Sequence, residues 1–179
     1  DPLLAATYFA FALGDFEGHN RNEQIVRAPA TYLQALNGAF FDHSSHVHSM
    51  RGIYFVIDTA DHAIRYSSAN GQTPLKVSAQ GVELIEEASE FKGPDLGSQA
   101  ENKYGLKVVR LQQGEKIVYV SSGLAAQKTD APVQQSELIA IIDNYQDLGP
   151  QDLVRNLTGA MQLGYSRSKD VSVVVIGRH

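Results

Sequence analysis

The chain has no cysteine and no tryptophan, and only two methionines and six prolines in 179 residues. Without a thiol there can be no disulfide, no thiolate metal site and no cysteine nucleophile, and the redox compartment stays unassigned. A surplus of positive charge is also missing. Fifteen Lys plus Arg against twenty Asp plus Glu give a net charge of −5 and a pI near 5.6, so no basic footprint marks a nucleic-acid partner. The longest apolar stretches, Leu3 to Leu13 and Val171 to Ile176, fall short of the roughly 20 residues of a membrane-spanning helix, and no basic segment precedes the first. The expectation is a soluble, cytoplasmic segment that does not insert into a membrane.

What is present is ordinary globular material, 43% hydrophobic and 20% charged, in a length that suits one domain over residues 1–179 with a sizeable core. The Asp1-Pro2 start reads as a piece cut from a longer protein, with this segment as its C-terminal part or cytosolic domain.

Hydrophobic patterning and turn residues place the elements. Tyr8 to Leu13 reads as a buried strand that breaks at Gly14-Asp15. Pro29 opens a helix that carries Tyr32, Leu33, Leu36 and Phe40, with Asn37-Gly38 weakening its middle, and that gives way to a polar loop from Asp42 to Ser49. Ile53 to Asp58 and Ala63 to Ser67 have hairpin spacing across Thr59 to His62, and Asn70 to Pro74 is a turn. Leu75 to Val77 and Val82 to Ile85 flank Gln80-Gly81 as a second hairpin, and Gly105 to Gln112 leads through Gly114-Glu115 into Lys116 to Ser121. A helix starts at Ser136 and ends at Leu148-Gly149-Pro150. A second follows from Gln151 to Leu163 with Gly164 as its stop. Val171 to Ile176 reads as a closing strand buried on both faces. Such an order of strands and helices predicts an α+β layered fold.

Several residue groups could carry chemistry. Asp42, His43, His46 and His48 form the only histidine cluster, whose spacing suits either a transition metal or a solvated loop. No Gly-x-Ser-x-Gly is present, and Ser121-Ser122-Gly123 has no paired base in sequence, so no serine triad is argued. Gly14 to Gly18 lacks the Gly-Lys-Ser/Thr ending of a phosphate loop.

Gly14-Asp15-Phe16-Glu17-Gly18-His19 resembles the Gly-Asp-Val-Ser-Gly-His element of SpoIIE-type serine phosphatases, a bacterial branch of the metal-dependent, protein phosphatase 2C-like (PPM) superfamily. Further similarities follow in the family order. Arg65 to Leu75 is similar to the strand and Asn-Ala-Gly-His-Pro-Pro turn, and Gly93-Pro94-Asp95-Leu96-Gly97 to the later Leu-Gly turn. Leu111 to Gly123 resembles the Gly-Asp turn and Leu-Tyr-Thr-Asp-Gly strand end, and Ser168 to Ile176 the closing Asp-Asp-Ile-Thr strand. The resemblance implies an α-β-β-α sandwich of two antiparallel sheets flanked by helices, with paired divalent cations at one end.

In that family a two-metal site makes a bridging water into hydroxide for attack on phosphorus, and manganese or magnesium suits such an oxygen-only site. By resemblance Asp15 is the bridging ligand, beside the main-chain carbonyl of Phe16, while Glu17 and His19 are accessory loop residues. Two acidic ligand positions have changed: the Thr-Asp-Gly aspartate is Ser122, and the first aspartate of the closing pair is Lys169, which leaves Asp170 as a weaker, structural residue. The upstream Gly-Gly-Asp of the family would precede Asp1, and the segment from His19 to Ile53 is short for the family. At 4 Å and an effective dielectric of 20, a carboxylate beside a dication gains about 8 kcal/mol and an ammonium loses about 8. The two-metal centre is therefore expected to be degenerate, with no cofactor bound and Lys169 replacing the cation as a salt bridge to Asp15.

The function expected is a pseudophosphatase, a regulatory or protein-binding module of bacterial signalling that grips a protein partner or phosphoprotein or forms a homodimer. Two alternatives stand beside it. One is an active Mn- or Mg-dependent phosphoserine/phosphothreonine phosphatase with ligands rebuilt from Glu17, Asp130 or Asp170; the other is a dimerising output domain of a larger membrane-associated or secretion assembly.

Overall fold

The computed structural model describes residues 23–43, 48–85, 92–121, 124–126, 134–167 and 171–178, the backbone alone for 43, 124–126 and 162–167. The expected strand Tyr8 to Leu13 lies outside the described residues. The chain divides into two compact units, one drawn from Asp1–Gly71 and Glu87–Arg110, the other from Gln72–Glu86 and Leu111–His179.

In the first unit, helices α1 (Glu23–Val26) and α2 (Pro29–His43) precede strands β1 (Gly52–Asp58) and β2 (Ala63–Ala69). Pro29 suits the start of α2, because its fixed φ is helical and its missing N–H would have no helical partner there. Tyr32, Leu33, Leu36 and Phe40 recur at helical spacing and are all buried, packing with Ala69, Leu96 and Tyr104. Full burial of a side chain such as Leu or Phe contributes roughly 1.5–3 kcal/mol. The rings of Tyr32 and Tyr54 stack at 4.0 Å, and the Tyr54 hydroxyl donates to the Val26 carbonyl at 3.1 Å, fastening the end of α1.

The expected hairpin forms over the full length of both strands, from Gly52↔Ala69 to Asp58↔Ala63. Its turn is shaped by aspartates: Asp58 accepts from Ala60 N and Asp61 from Ala63 N, both at 3.0 Å, and His62 takes φ +52°. The Ala60 N–H holds the Asp58 carboxyl below its ordinary value, with Arg65 adding to the effect. Strand β6 (Lys107–Arg110) pairs antiparallel with β2, and the two-residue β5 (Lys92–Gly93) runs parallel to it.

The second unit contains β3 (Leu75–Ser78), β4 (Gly81–Leu84), β7 (Lys116–Val120) and β10 (Val173–Gly177), in the order β10-β7-β3-β4. Strands β6 and β7, on either side of Gly114, take their partners in different sheets. Helix α3 (Gln135–Asp143) starts one residue before the expected Ser136 and stops five before Leu148; turns through Asn144 to Asp147 complete the interval. Its start is set by Gln134, whose N–H donates to Glu137 Oε2 at 3.2 Å, as an N-cap residue and its third follower can.

Helix α4 (Pro150–Gly164) follows the expectation, burying Leu153, Leu157 and Met161 together with Ile142, Leu75, Val77, Val118 and Val120. Short strands β8 (Leu124–Ala126) and β9 (Tyr165–Arg167) pair antiparallel as a separate two-stranded sheet. The closing strand departs from the reading of two buried faces: Val174 is 40% exposed and β10 is paired only to β7 among the described residues. No described helix is long and apolar enough to cross a membrane.

The α+β class with two sheets and attendant helices is the class the motifs implied.

Candidate functional site

Most of the predicted site residues, Asp15, Phe16, Glu17, His19, Ser122, Lys169 and Asp170, lie outside the described residues, as do Asp130 and His46. Of the histidine cluster, Asp42 is exposed in the last turn of α2 and His48 is half-buried beyond it. Among the described residues no three His, Cys, Asp or Glu side chains converge as a metal group would require.

The strand ends that lead to the two altered ligand positions are described. Ser121 follows β7 and Ser172 precedes β10, and they are joined twice: Ser121 N donates to Ser172 O and Ser172 N to Ser121 Oγ, both at 2.9 Å. The register Val173↔Val120 continues this pairing. Ser121 and Ser172 thus stand at the same end of two adjacent strands of one sheet. The second bond needs a hydroxyl, since a residue without one at position 121 would leave the Ser172 N–H to solvent.

In the first unit, the turn after β2 and the Gly93 to Gly97 segment form one polar cluster. Asn70, in the left-handed region at φ +51°, donates from Nδ2 to Asp95 Oδ1 at 2.6 Å, while its own N–H reaches Gly93 O at 2.8 Å. Asp95 Oδ2 receives Ser49 Oγ at 3.4 Å and pairs with Arg51 Nε at 3.5 Å, leaving the Arg51 side chain 59% exposed. A Cβ on Gly71 would stand 3.0 Å from Gly52 O and 3.3 Å from Ser68 Oγ, so a larger residue there would push the turn away from β1 by a few tenths of an ångström.

This cluster hangs on a buried amide. Asn37, on the buried face of α2, donates to Gln99 O and Ala100 O at 3.0 and 3.1 Å and accepts from Gly97 N at 2.8 Å, from Asn102 Nδ2 at 2.9 Å and from the Tyr104 hydroxyl at 3.2 Å. Asn102 Nδ2 also lies 3.1 Å from Asp95 O. Burial pushes the Tyr104 phenol up, so it remains a neutral donor at ordinary pH. The network can fix a loop and present charge; it offers no nucleophile.

Sequence reading treated Asn37 only as a weak point in the helix and gave no role to Asn102 or Arg51. The available signal was position: Asn37 falls at i+4 from Leu33 and i−3 from Phe40, on the apolar stripe, where an amide is retained only if it is satisfied.

Residues 20–179 match the model of the family described as Stage II sporulation protein E (SpoIIE). No curated protein matches the chain closely enough to count as a relative. Among solved structures, the SiaA-PP2C domain of Pseudomonas aeruginosa has a TM-score of 0.68 at 11% identity, covering 99% of this chain and 68% of its own. The RsbU and RsbW domains of Rv1364c from Mycobacterium tuberculosis give 0.61 at 18% identity, with 82% of this chain and 42% of that one covered. The serine/threonine phosphatase PstP/Ppp of the same bacterium gives 0.55 at 12% identity, covering 98% and 82%. At these identities the likeness is one of fold. The chain thus spans about two thirds of the first of these structures and less than half of the second.

Proposed function

The chain belongs to the SpoIIE family of PP2C-like phosphatase domains, and on that premise we propose that it acts as a regulatory, protein-binding phosphatase domain of bacterial signalling with an impaired two-metal centre. One observation carries the proposal: the two acidic ligand positions implied by the family motifs hold Ser122 and Lys169. A neutral hydroxyl and an ammonium in place of two carboxylates remove two negative charges and add a positive one where cations must sit, and Coulomb's law makes that exchange strongly unfavourable to metal.

Residues 1–179 are taken as one domain in this reading. The chain passes between its two units three times, so neither unit is one continuous segment. The partner is a protein or phosphoprotein, of the anti-sigma type or another, in the cytoplasm. A precedent supports this: the RsbU domain of Rv1364c, a structural neighbour, is accompanied by an RsbW domain.

The second reading, an active Mn- or Mg-dependent serine/threonine phosphatase, is favoured by the retained Gly14-Asp15 and by the PstP/Ppp likeness. Asp15 and the Phe16 carbonyl would hold the cations, with Asp170 the nearest remaining acid in the closing motif. Bound there, Mn or Mg would supply an activated water and take up charge developing on phosphate.

The experiment is hydrolysis of para-nitrophenyl phosphate by the intact protein with and without Mn²⁺. No metal-dependent release is expected. Mn²⁺-dependent hydrolysis abolished by Asp15→Ala would establish the enzyme reading instead.

A further inference from the structure

We propose that Asn70-Gly71 is a spontaneous modification site of the folded protein, at which the Asn70 amide becomes a carboxylate by loss of ammonia, and that Ser68 and Asp95 gate the conversion. The proposal is independent of the state of the metal centre.

An asparagine followed by glycine is the pair most prone to this chemistry, because glycine has no side chain to hinder attack by its backbone nitrogen on the preceding amide. The chain has two such pairs, Asn37-Gly38 and Asn70-Gly71. The first is sealed. Asn37 is 0% exposed and hydrogen-bonded through both atoms of its amide, and Gly38 lies inside α2, where helical bonding occupies its N–H. The second pair sits in the turn after β2, with Asn70 only half-buried. Local geometry explains why the pair stands there. Position 70 takes φ +51°, which asparagine tolerates better than most side chains, and position 71 leaves little room beside Gly52 O.

Water is the only co-reactant. Hydroxide takes the Gly71 amide proton, the nitrogen attacks Asn70 Cγ and a cyclic imide closes. The Cγ–Nδ2 bond breaks, and Nδ2 leaves as ammonia with a proton from water. Water then opens the imide at one of its two carbonyls, leaving an aspartyl or an isoaspartyl residue.

Both reacting groups are restrained in the folded state. The Gly71 N–H donates to Ser68 Oγ at 3.0 Å in a buried position, and Ser68 is itself 2% exposed. Hydroxide therefore reaches the proton only when the turn opens. Asn70 Nδ2 donates to Asp95 Oδ1 at 2.6 Å, which fixes the amide and keeps a carboxylate close to the carbon where attack would build negative charge.

Conversion changes the sign of that contact. The product carries a carboxylate where Nδ2 donated, so two negative groups face one another and repel. The Asp95 side chain then keeps only Ser49 Oγ and Arg51, both on its other oxygen. The segment from Gly93 to Gly97 loses its side-chain tie to the turn, and the bond from Asn70 N to Gly93 O is the next to weaken.

The test is prolonged incubation of the intact protein at mildly alkaline pH, read by released ammonia and by peptide mapping of isoaspartate. The folded wild type should convert at Asn70 and not at Asn37, at least about tenfold more slowly than the urea-unfolded chain. Converted protein should exchange the position 70 amide faster than unconverted protein. S68A removes the acceptor of the Gly71 N–H and D95A that of Asn70 Nδ2; each should speed conversion at Asn70 at least about threefold, with circular dichroism unchanged. Asn37 serves as the internal control, staying unreacted while opening is local. If one variant does not fold, the other decides. The proposal is overturned if Asn70 converts no sooner than Asn37, if the folded wild type reacts as fast as the unfolded chain, or if a folded S68A or D95A leaves the rate unchanged.

Discussion

Asn37 Oδ1 accepts the backbone N–H of Gly97 at 2.8 Å, across sixty residues of sequence. The same buried side chain holds the carbonyls of Gln99 and Ala100, so a single amide in α2 shapes the loop that carries Asp95. Replacing it by Leu would leave several buried groups without partners, each costing about 1–3 kcal/mol. We expect Asn37→Leu to lower stability by about 2–4 kcal/mol in urea unfolding. Asn156→Ala, at a half-buried position of α4 whose side chain makes a local bond to Asp152 O, should change it by no more than about 0.5.

Gly97 and Gly114 separate backbone strain from steric exclusion. Both take positive φ, +77° and +82°, but a Cβ on Gly97 would lie 2.6 Å from the Phe40 ring and 2.9 Å from His48 O, whereas one on Gly114 would meet nothing within 4 Å. Gly114→Ala should therefore cost only the left-handed penalty of about 1–2 kcal/mol. Gly97→Ala adds overpacking of about 1–3 kcal/mol to it, and thermal unfolding of the two variants should rank them accordingly.

Glu115 links the turn before β7 to β3. Its Oε1 lies 2.7 Å from Lys76 Nζ and its Oε2 accepts Gln112 N at 2.7 Å. Burial pushes this carboxyl up, but the Lys76 hydrogen bond, the Gln112 N–H and the Lys76 charge together outweigh it and hold the group below the usual 4.5. A carboxyl depressed in the folded state stabilises fully above its unfolded value, and that contribution fades as pH falls through the folded one. The stability difference between wild type and Glu115→Gln should be largest at neutral pH, about 1–3 kcal/mol, and shrink on acidification below about 4.5. A difference that grows toward acid would contradict this account.

The hydroxyl of Ser121 makes a similar small test. Ser121→Ala removes the acceptor for Ser172 N but leaves the backbone bond from Ser121 N to Ser172 O. We expect a loss of about 0.5–1.5 kcal/mol, with faster amide exchange at Ser172 in particular.

Local signals made much of the fold legible. Pro29 and the Tyr32–Phe40 stripe located α2, and hairpin spacing located β1 and β2, because both depend on neighbours in sequence. What escaped was set by distant partners. The runs Gly105 to Gln112 and Lys116 to Ser121 are neighbours in sequence, but their strands β6 and β7 take partners from different sheets. The valines of β10 read as a strand buried on both faces, whereas Val174 is 40% exposed, because an apolar run does not show which of its side chains the core covers. Asn37 read as a defect because its five partners lie about sixty residues away. The candidate metal site was legible only through motif resemblance, since its positions lie far apart in sequence and leave no local periodicity.

The impaired metal centre is the central claim, and a calorimetric titration of Mn²⁺ into the intact protein tests it most directly. The account predicts no tight binding by the wild-type chain, and binding restored when Ser122→Asp and Lys169→Asp return two carboxylates to the site. Tight binding by the wild type that disappears in Asp15→Ala would contradict it.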